Sequence, residues 1–410
     1  MKKLTALLLA ALMVFTMMAC AAKETTTETK QPEQTAEEAK TAETTETSGE
    51  EAQEAEGLDY DNPIYIGVLD AFTGDRASNG EYSKEGADLA MEYINANGGV
   101  MGRAIELVYE DDQGAEAAAT NAFQKITSEY DLAAICLNKY SSVVLAMEQF
   151  VADEGIPAIC CGSSVRLEAS ETYKLFSTRK SDTGSGVTIG NYCAELGMTK
   201  VAIIHAPDAL GTGMTPVVKE VLEGHGIEVV SEQQFSADEK NFAPYIAKIV
   251  DSGCDGIIAF AQQQEAALIM SSIRDAGLDV PCIGNSAFAQ QVAIENSAGA
   301  CEGWYSVSAF SPTAQEEPTK SWIDLYTETY GRKPDMTSAC MYDAVMLFCQ
   351  AMNETQSTDW DTINDYLHTI KDVQGIASTY SYNGTPMLST SEFVVQIVDG
   401  ASKVITVVKS

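Results

Sequence analysis

Small polar residues follow two apolar segments that have the character of buried strands. Ser141 and Ser142 come just after LAAICLNKY, and Gly162, Ser163 and Ser164 come directly after IPAICC. Hydroxyls beside the free N–H groups at a helix start can bind an anionic group such as a ligand carboxylate. Ordinary helix capping explains either set alone, whereas two sets at adjacent strand ends favour a carboxylate site.

The elements that must position these residues alternate along the chain from Ile64 onward. Largely uncharged, β-branched runs predict strands at 64–70, 105–110, 132–137, 156–161, 201–206, 227–232, 256–261 and 281–284. Amphipathic segments predict helices at 82–97, 115–130, 142–154, 184–196, 214–224, 242–252 and 265–276. Such alternation indicates an α/β protein whose parallel sheets are covered on both faces, with ligands at the carboxyl ends of the strands.

The rhythm changes after residue 300. A strand is predicted at 304–310, helices at 321–330, 339–352 and 361–370, and a hairpin of 394–398 with 404–408 around Asp399 and Gly400. A late strand, then helices, then a closing hairpin suggest a chain that passes between two lobes more than once.

Composition excludes several classes of function. With 25 Lys and Arg against 60 Asp and Glu, the formal net charge is −35, which argues against a nucleic-acid partner. The three His are far apart and none has a metal-ligand spacing, so no metal or His-based catalytic site is predicted. Phosphate-binding and nucleophile-elbow motifs are missing, and Gly211-Thr212-Gly213 lacks the third glycine of a dinucleotide loop. We therefore predict neither an enzyme nor a cofactor.

The amino-terminal residues predict export. Lys2 and Lys3 precede an uncharged run that ends at Ala19, which indicates a signal peptide over residues 1–19. The sequence MMAC resembles a bacterial lipobox and predicts lipidation at Cys20, although an ordinary signal peptide with an incidental Cys is the alternative. Residues 20–57 are acidic and nearly free of large apolar side chains, so we expect a disordered tether.

Two segments resemble a known family. IYIGVLDAFTGDRASNGEYSKEGADLAMEYINANGGVMGRAIELVYEDDQG and SSVVLAMEQFVADEGIPAICCGSS are similar to the branched-chain amino acid binding family of solute-binding proteins for ABC transporters, and the resemblance extends over residues 62–410. It implies two Rossmann-like, doubly wound lobes joined by three crossover hinges, with a ligand cleft between them. We expect lobe I to span 62–182 with 310–385, and lobe II to span 183–309 with 386–410.

The resemblance assigns roles to individual positions. Ser141 falls where relatives place a hydroxyl on the ligand carboxylate, and Gly162 and Ser164 fall where they bind the carboxylate and amino group. The rest of the predicted pocket departs from leucine-type binders, which have aromatic residues at the positions of Asn79, Leu210 and Gln262.

Ser286 stands where relatives place a carboxylate against the ligand ammonium. A buried ammonium without a counter-charge is unfavourable. Either another acid, such as Asp208 or Asp343, faces the cleft, or the ligand is not a simple apolar amino acid.

These features predict an exported, monomeric solute-binding protein on the outer face of the cell membrane, held by its lipid anchor only. Its partners would be a small molecule, namely an amino acid or a related carboxylate or amide, and the permease subunits of an ABC transporter. The alternative is a sensory module of the same fold that passes its signal to a receptor.

Overall fold

The computed structural model describes residues 57–409. The predicted signal peptide (1–19), the lipidation site Cys20 and all but the last residue of the predicted tether lie outside the described residues. Within 57–409, no helix combines the length and apolar character that a membrane span requires.

The strands and helices alternate as the sequence pattern predicts. The strands are β1 (Asp59–Asp70), β2 (Arg103–Asp111), β3 (Leu132–Leu137), β4 (Ala158–Cys160), β5 (Leu175–Ser177), β6 (Lys200–His205), β7 (Glu228–Gln234), β8 (Gly256–Phe260), β9 (Cys282–Gly284), β10 (Tyr305–Ser308), β11 (Val373–Gln374), β12 (Thr379–Tyr380), β13 (Ser391–Val398) and β14 (Ala401–Lys409). The α-helices are α1 (Ala77–Ala96), α2 (Glu116–Glu129), α3 (Ser141–Glu154), α4 (Val165–Glu168), α5 (Asp182–Glu195), α6 (Ala209–Gly224), α7 (Ala243–Ser252), α8 (Gln263–Asp275), α9 (Gln291–Asn296), α10 (Thr319–Tyr330), α11 (Met336–Thr355) and α12 (Trp360–Leu367).

These strands form two main sheets. The first sheet has the order β2-β1-β3-β4-β5, and all its neighbouring strands are parallel. The second sheet has the order β14-β13-β10-β9-β8-β6-β7, in which β13 and β14 are antiparallel to their neighbours. The hairpin predicted around Asp399 and Gly400 is therefore confirmed as an antiparallel extension of the second sheet.

Both faces of each sheet are buried, because alternate side chains of one strand enter different cores. In β3, Ile135 and Leu137 pack with α2 and α3, whereas Cys136 packs with α1 and α11. In β6, Ile203 lies in a core with α5 and α6, and Ile204 lies in another with α7 and α8. Each sheet is thus a layer between two sets of helices.

The chain passes between the two sheets three times: after β5, after β10 and before β13. The helices α10, α11 and α12 pack on the first sheet although they follow β10 of the second. Met387 bridges Ser177 of β5, and Leu388 lies in a core of the first sheet, so the side built on that sheet continues beyond residue 385.

Several boundaries differ from the sequence prediction. α1 begins at Ala77 and α6 at Ala209, each five residues before the predicted start, and the short strand β5 was not predicted. Gly211 and Gly213 consequently lie inside α6 and do not form a loop before it.

Candidate ligand-binding site

A small cavity of about 60 Å³ is lined by loops of both sheets; we refer to it as the candidate cavity. These loops follow the carboxyl ends of β1, β3, β4 and β5 in the first sheet and of β6, β8 and β9 in the second. Ligands of open parallel sheets bind at this edge. Six residues singled out in the sequence lie in its lining: Ser141, Ser142, Ser163, Leu210, Gln262 and Ser286.

The other three predicted residues lie beside the cavity and do not line it. Asn79 is buried and hydrogen-bonds to Tyr140 and to Gln263 on α8. The carbonyl of Gly162 accepts a hydrogen bond from the Ser177 hydroxyl at 2.5 Å. Of these groups, the family resemblance assigns only the backbone of Gly162 to the ligand.

The serine-rich loop after β4 forms a pair of converging donors. The backbone N–H groups of Ser163 and Ser164 both donate to Ser141 Oγ, each at 3.1 Å. The Ser164 hydroxyl caps α4 by accepting from Leu167 N at 3.3 Å, which fixes the loop that carries these donors. Two N–H groups that meet at one oxygen provide the geometry in which proteins bind carboxylate oxygens.

One carboxylate, that of Asp208, lines the candidate cavity. It caps α6 by accepting from Gly211 N at 3.0 Å, and it accepts from Gln262 Nε2 at 2.9 Å. Of the two acids considered as partners of a ligand ammonium, Asp208 therefore has the required position.

Asp343 does not face the cavity, so that part of the sequence interpretation is wrong. Its carboxylate is buried in α11 and accepts hydrogen bonds from Ile376 N, Ala377 N and the Tyr380 hydroxyl at 2.7, 2.7 and 2.6 Å. Burial raises the pKa of Asp343 to about 6 although these donors oppose the shift. Asp343 joins α11 to the segment around β12 and has a structural role.

Three cationic residues in the lining were missed by the sequence analysis: Arg76, Lys139 and Arg179. Arg76 precedes α1, Lys139 follows β3, and Arg179 follows β5. The lining is consequently polar and carries more positive than negative charge. Leu210 is its one aliphatic side chain larger than Ala among the residues that the structure describes.

Residues 57–409 contain no cluster of three or more His, Cys, Asp or Glu side chains that could hold a metal ion. The nine cysteines in this range are buried and free. The side chains that line the candidate cavity offer hydrogen bonds and charges to a ligand.

A larger open depression of about 810 Å³ lies between α6 and the edge strand β7. Its walls belong to the second sheet alone and include Glu220, Glu223, Glu228 and Glu232. A ligand there would touch one sheet only, so we assign the ligand site to the candidate cavity.

Comparison with known proteins agrees with this architecture. A family model described as periplasmic binding protein matches residues 63–401. The chain belongs to the periplasmic binding protein family. The family resemblance seen in the sequence and the predicted two-lobed α/β fold are both confirmed.

One relative of this periplasmic binding protein is the Leu/Ile/Val-binding protein homolog 2 of Brucella abortus. The two are 26% identical over 298 residues, which cover 72% of this chain and 80% of the relative. Similarity at this level extends over most of both proteins.

Solved structures show the same fold. The branched-chain amino acid transporter substrate-binding protein LivJ from Streptococcus pneumoniae, in complex with isoleucine, has a TM-score of 0.79 at 24% identity, covering 85% of this chain and 100% of LivJ. A solute-binding protein from R. palustris in complex with benzoate has a TM-score of 0.77 at 18% identity, covering 84% of this chain and 96% of the other. The fold thus accommodates carboxylate ligands both with and without an amino group.

Proposed function

We propose that this periplasmic binding protein is the solute-binding component of an ABC transporter and that it holds an amino acid or a related small carboxylate or amide. The observation that carries the proposal is the convergence of Ser163 N and Ser164 N on the hydroxyl of Ser141. A ligand carboxylate that replaces Ser141 Oγ at this place would receive the same two N–H groups, with the Ser141 side chain turned so that its hydroxyl donates to the carboxylate as well.

The lining also supports binding between two closing lobes. We propose that these lobes follow the boundaries predicted from the sequence, except that the side built on the first sheet extends to Leu388. Loops of both sheets contribute to the candidate cavity, so a ligand there contacts both at once. In the closed state the two sets of loops lie together, and in the open state they lie apart. A ligand that binds the closed state more tightly shifts the population toward it, to the extent of that difference in affinity. We propose that the permease recognises this closed arrangement.

Export and lipid anchoring at Cys20 complete the proposal. Two or more acyl chains hold a protein stably at a membrane, and a tether would separate the monomeric binding lobes from the surface. Cys20→Ser should move the protein from the membrane fraction to the medium, whereas Cys136→Ser, at a buried thiol of β3, should leave it in the membrane fraction. Equal membrane retention of all three proteins would contradict the anchor.

The binding function is tested by thermal unfolding of the purified protein with a panel of amino acids, amides and small carboxylates. A ligand at about 100 times its dissociation constant stabilises the folded state by about 2.7 kcal/mol, which raises the melting temperature. The proposal predicts such a shift for at least one member. A panel without any shift would contradict it.

A further inference from the structure

The positive charges around the candidate cavity interact with buried acids only at a distance beyond that of a salt bridge: Arg76 with Asp112, Lys139 with Asp335 and Asp70, and Arg179 with Asp182. None of the salt bridges among residues 57–409 includes Arg76, Lys139 or Arg179. Each of the three lines the cavity, and Asp208 is the single carboxylate that does so among the described residues. This excess of positive charge occurs in a chain whose formal net charge is −35.

The hydrogen bonds of these cations go to neutral acceptors. Arg76 Nη1 donates to the Gly114 carbonyl at 2.7 Å, and its guanidinium carbon lies 4.1 Å from the centre of the Tyr140 ring. Lys139 Nζ donates to Gln290 Oε1 at 3.0 Å and lies 5.5 Å from the centre of the same ring. Arg76 and Lys139 therefore lie on a shared aromatic side chain at the cavity.

Arg179 joins the two sides of the cavity. Its Nη2 donates to Ser286 Oγ at 3.0 Å, and its Nη1 donates to the Cys161 carbonyl at 3.4 Å. Its Nε is buried and has no hydrogen-bond partner among the described residues. Ser286 occupies the position at which the family resemblance implies an acid for the ligand ammonium, and here it contacts a cation.

The environment of Lys139 disfavours its charged form mainly through burial. Lys139 is 8% exposed, and burial together with the charges of Arg179 and Arg76 lowers its pKa to about 8, against the opposing effect of Asp335 and Asp70. A buried cation is stable when an anion compensates the lost hydration. An anionic group from the ligand would provide that compensation for all three residues.

We propose that the ligand has two carboxylates, one bound by Ser141 with the N–H groups of Ser163 and Ser164, and the second bound by Arg76, Lys139 and Arg179. This inference rests on the proposed function and specifies the class of ligand for the same cavity. The cavity is small, about 60 Å³, so the test uses the shortest common dicarboxylates, those with four or five carbons.

Two kinds of molecule have this chemistry: an acidic amino acid and a dicarboxylate without an amine. They differ in whether Asp208 has an ammonium to bind. The experiment separates them by comparing aspartate with succinate and glutamate with glutarate.

The test is calorimetric titration of the full chain with pairs of ligands that differ in one charge. Aspartate is paired with asparagine, glutamate with glutamine, and succinate with succinamate; leucine and benzoate serve as monocarboxylates. We expect at least one dicarboxylate to bind at least about 10-fold more tightly than its amide partner, because charge-assisted hydrogen bonds to the second carboxylate are lost in the amide.

Variants locate the second carboxylate. Arg179→Gln and Lys139→Gln should each lower the affinity for the dicarboxylate by about 10-fold or more. The affinity for its amide partner should change much less. The matched control is Arg166→Gln, at an exposed position of α4 outside the cavity lining. The ligand pairs on the unaltered protein remain decisive if a variant does not fold.

The outcomes distinguish the two proposals. Tight binding of leucine, benzoate or an amide, with the corresponding dicarboxylate weaker or equal, would overturn the dicarboxylate inference and leave the solute-binding proposal in place. Absence of binding for every compound would overturn both.

Discussion

Asn79 and Gln263 exchange two hydrogen bonds between the side built on the first sheet and the side built on the second. Asn79 Nδ2 donates to Gln263 Oε1 at 2.6 Å, and Gln263 Nε2 donates to Asn79 Oδ1 at 2.9 Å. Asn79 lies in α1 and Gln263 begins α8, so the pair joins helices that pack on different sheets. Both side chains are buried, which makes the pair a direct link across the region that a ligand must enter.

Loss of the hydrogen bonds between Asn79 and Gln263 should weaken ligand binding, although neither residue lines the candidate cavity. Gln263→Ala leaves the buried Asn79 amide with fewer partners and disfavours the arrangement in which the two sides meet. We expect the dissociation constant of the cleft ligand to rise about 5- to 100-fold, because two hydrogen bonds of about 0.5–1.5 kcal/mol each are lost. Small-angle scattering without ligand should show a larger radius of gyration.

The control is Gln149→Ala, at an exposed position of α3 whose side chain bonds only to Asp153 on the same helix among the described contacts. Equal ligand affinity and equal radius of gyration for the Gln263 variant, its control and the unaltered protein would show that the pair does not stabilise the joined state.

Close packing of α1 against α11 predicts opposite effects for two Gly→Ala substitutions. A Cβ on Gly86 would lie 2.0 Å from the Ser338 carbonyl oxygen of α11, whereas a Cβ on Gly224, at the end of α6, meets no atom within 4 Å. Gly86→Ala should lower the free energy of unfolding by about 1–3 kcal/mol or more, because the helices must separate. Gly224→Ala should leave it unchanged or raise it by up to about 1 kcal/mol.

Urea unfolding followed by circular dichroism measures both effects. A Gly86 variant as stable as the Gly224 variant would mean that α1 and α11 do not approach each other as closely as described.

Asp70 predicts a dependence of stability on pH. Burial, with the nearby charge of Asp112, raises the pKa of Asp70 from 3.8 to about 7. Between these values the folded state holds a proton that the unfolded state has released, so the free energy of unfolding contributed by this group falls as pH rises from about 4 to about 7. Where the folded state binds one whole proton more than the unfolded state, the free energy of unfolding falls by about 1.4 kcal/mol for each pH unit.

Asp70→Asn has no such proton to release. The stability of this variant relative to the unaltered protein should therefore increase from about pH 4 to about pH 7 and become constant above that range. Urea unfolding of both proteins at several pH values measures this difference. The same difference at every pH would contradict the shifted pKa of Asp70.

The general architecture could be predicted because burial on both faces of a sheet leaves a strong mark on a sequence. The uncharged run LAAICL predicts β3 at 132–137, and the structure has the same bounds. The strand β5, Leu175–Ser177, has three residues between Lys174 and Thr178, so it lacks the longer uncharged run that marks the equally short β4. The sequence does not predict the first turns of α6, because Gly211 and Gly213 are unusual inside a helix. Glycine is needed at position 211, since a Cβ there would lie 2.2 Å from the Ala206 carbonyl oxygen.

The same boundary errors explain which parts of the candidate cavity were missed. Arg76 precedes α1, whose start was predicted five residues too late, and Arg179 follows the unpredicted strand β5. Lys139 directly follows a predicted strand, and that position was an available signal. Asp208 and Asp343 could not be separated by sequence, because the difference between a helix cap and a buried helix position depends on tertiary packing.

The central claim is that Ser141 marks the place where a ligand carboxylate binds, and calorimetric titration of Ser141→Ala with the best ligand of the unaltered protein tests it most directly. Because a hydrogen bond to a charged group contributes about 1.5–3 kcal/mol, we predict a loss of affinity of about 10- to 100-fold. Ser128→Ala, at an exposed position of α2, should bind as the unaltered protein does. Undiminished affinity in a folded Ser141→Ala protein would contradict the account.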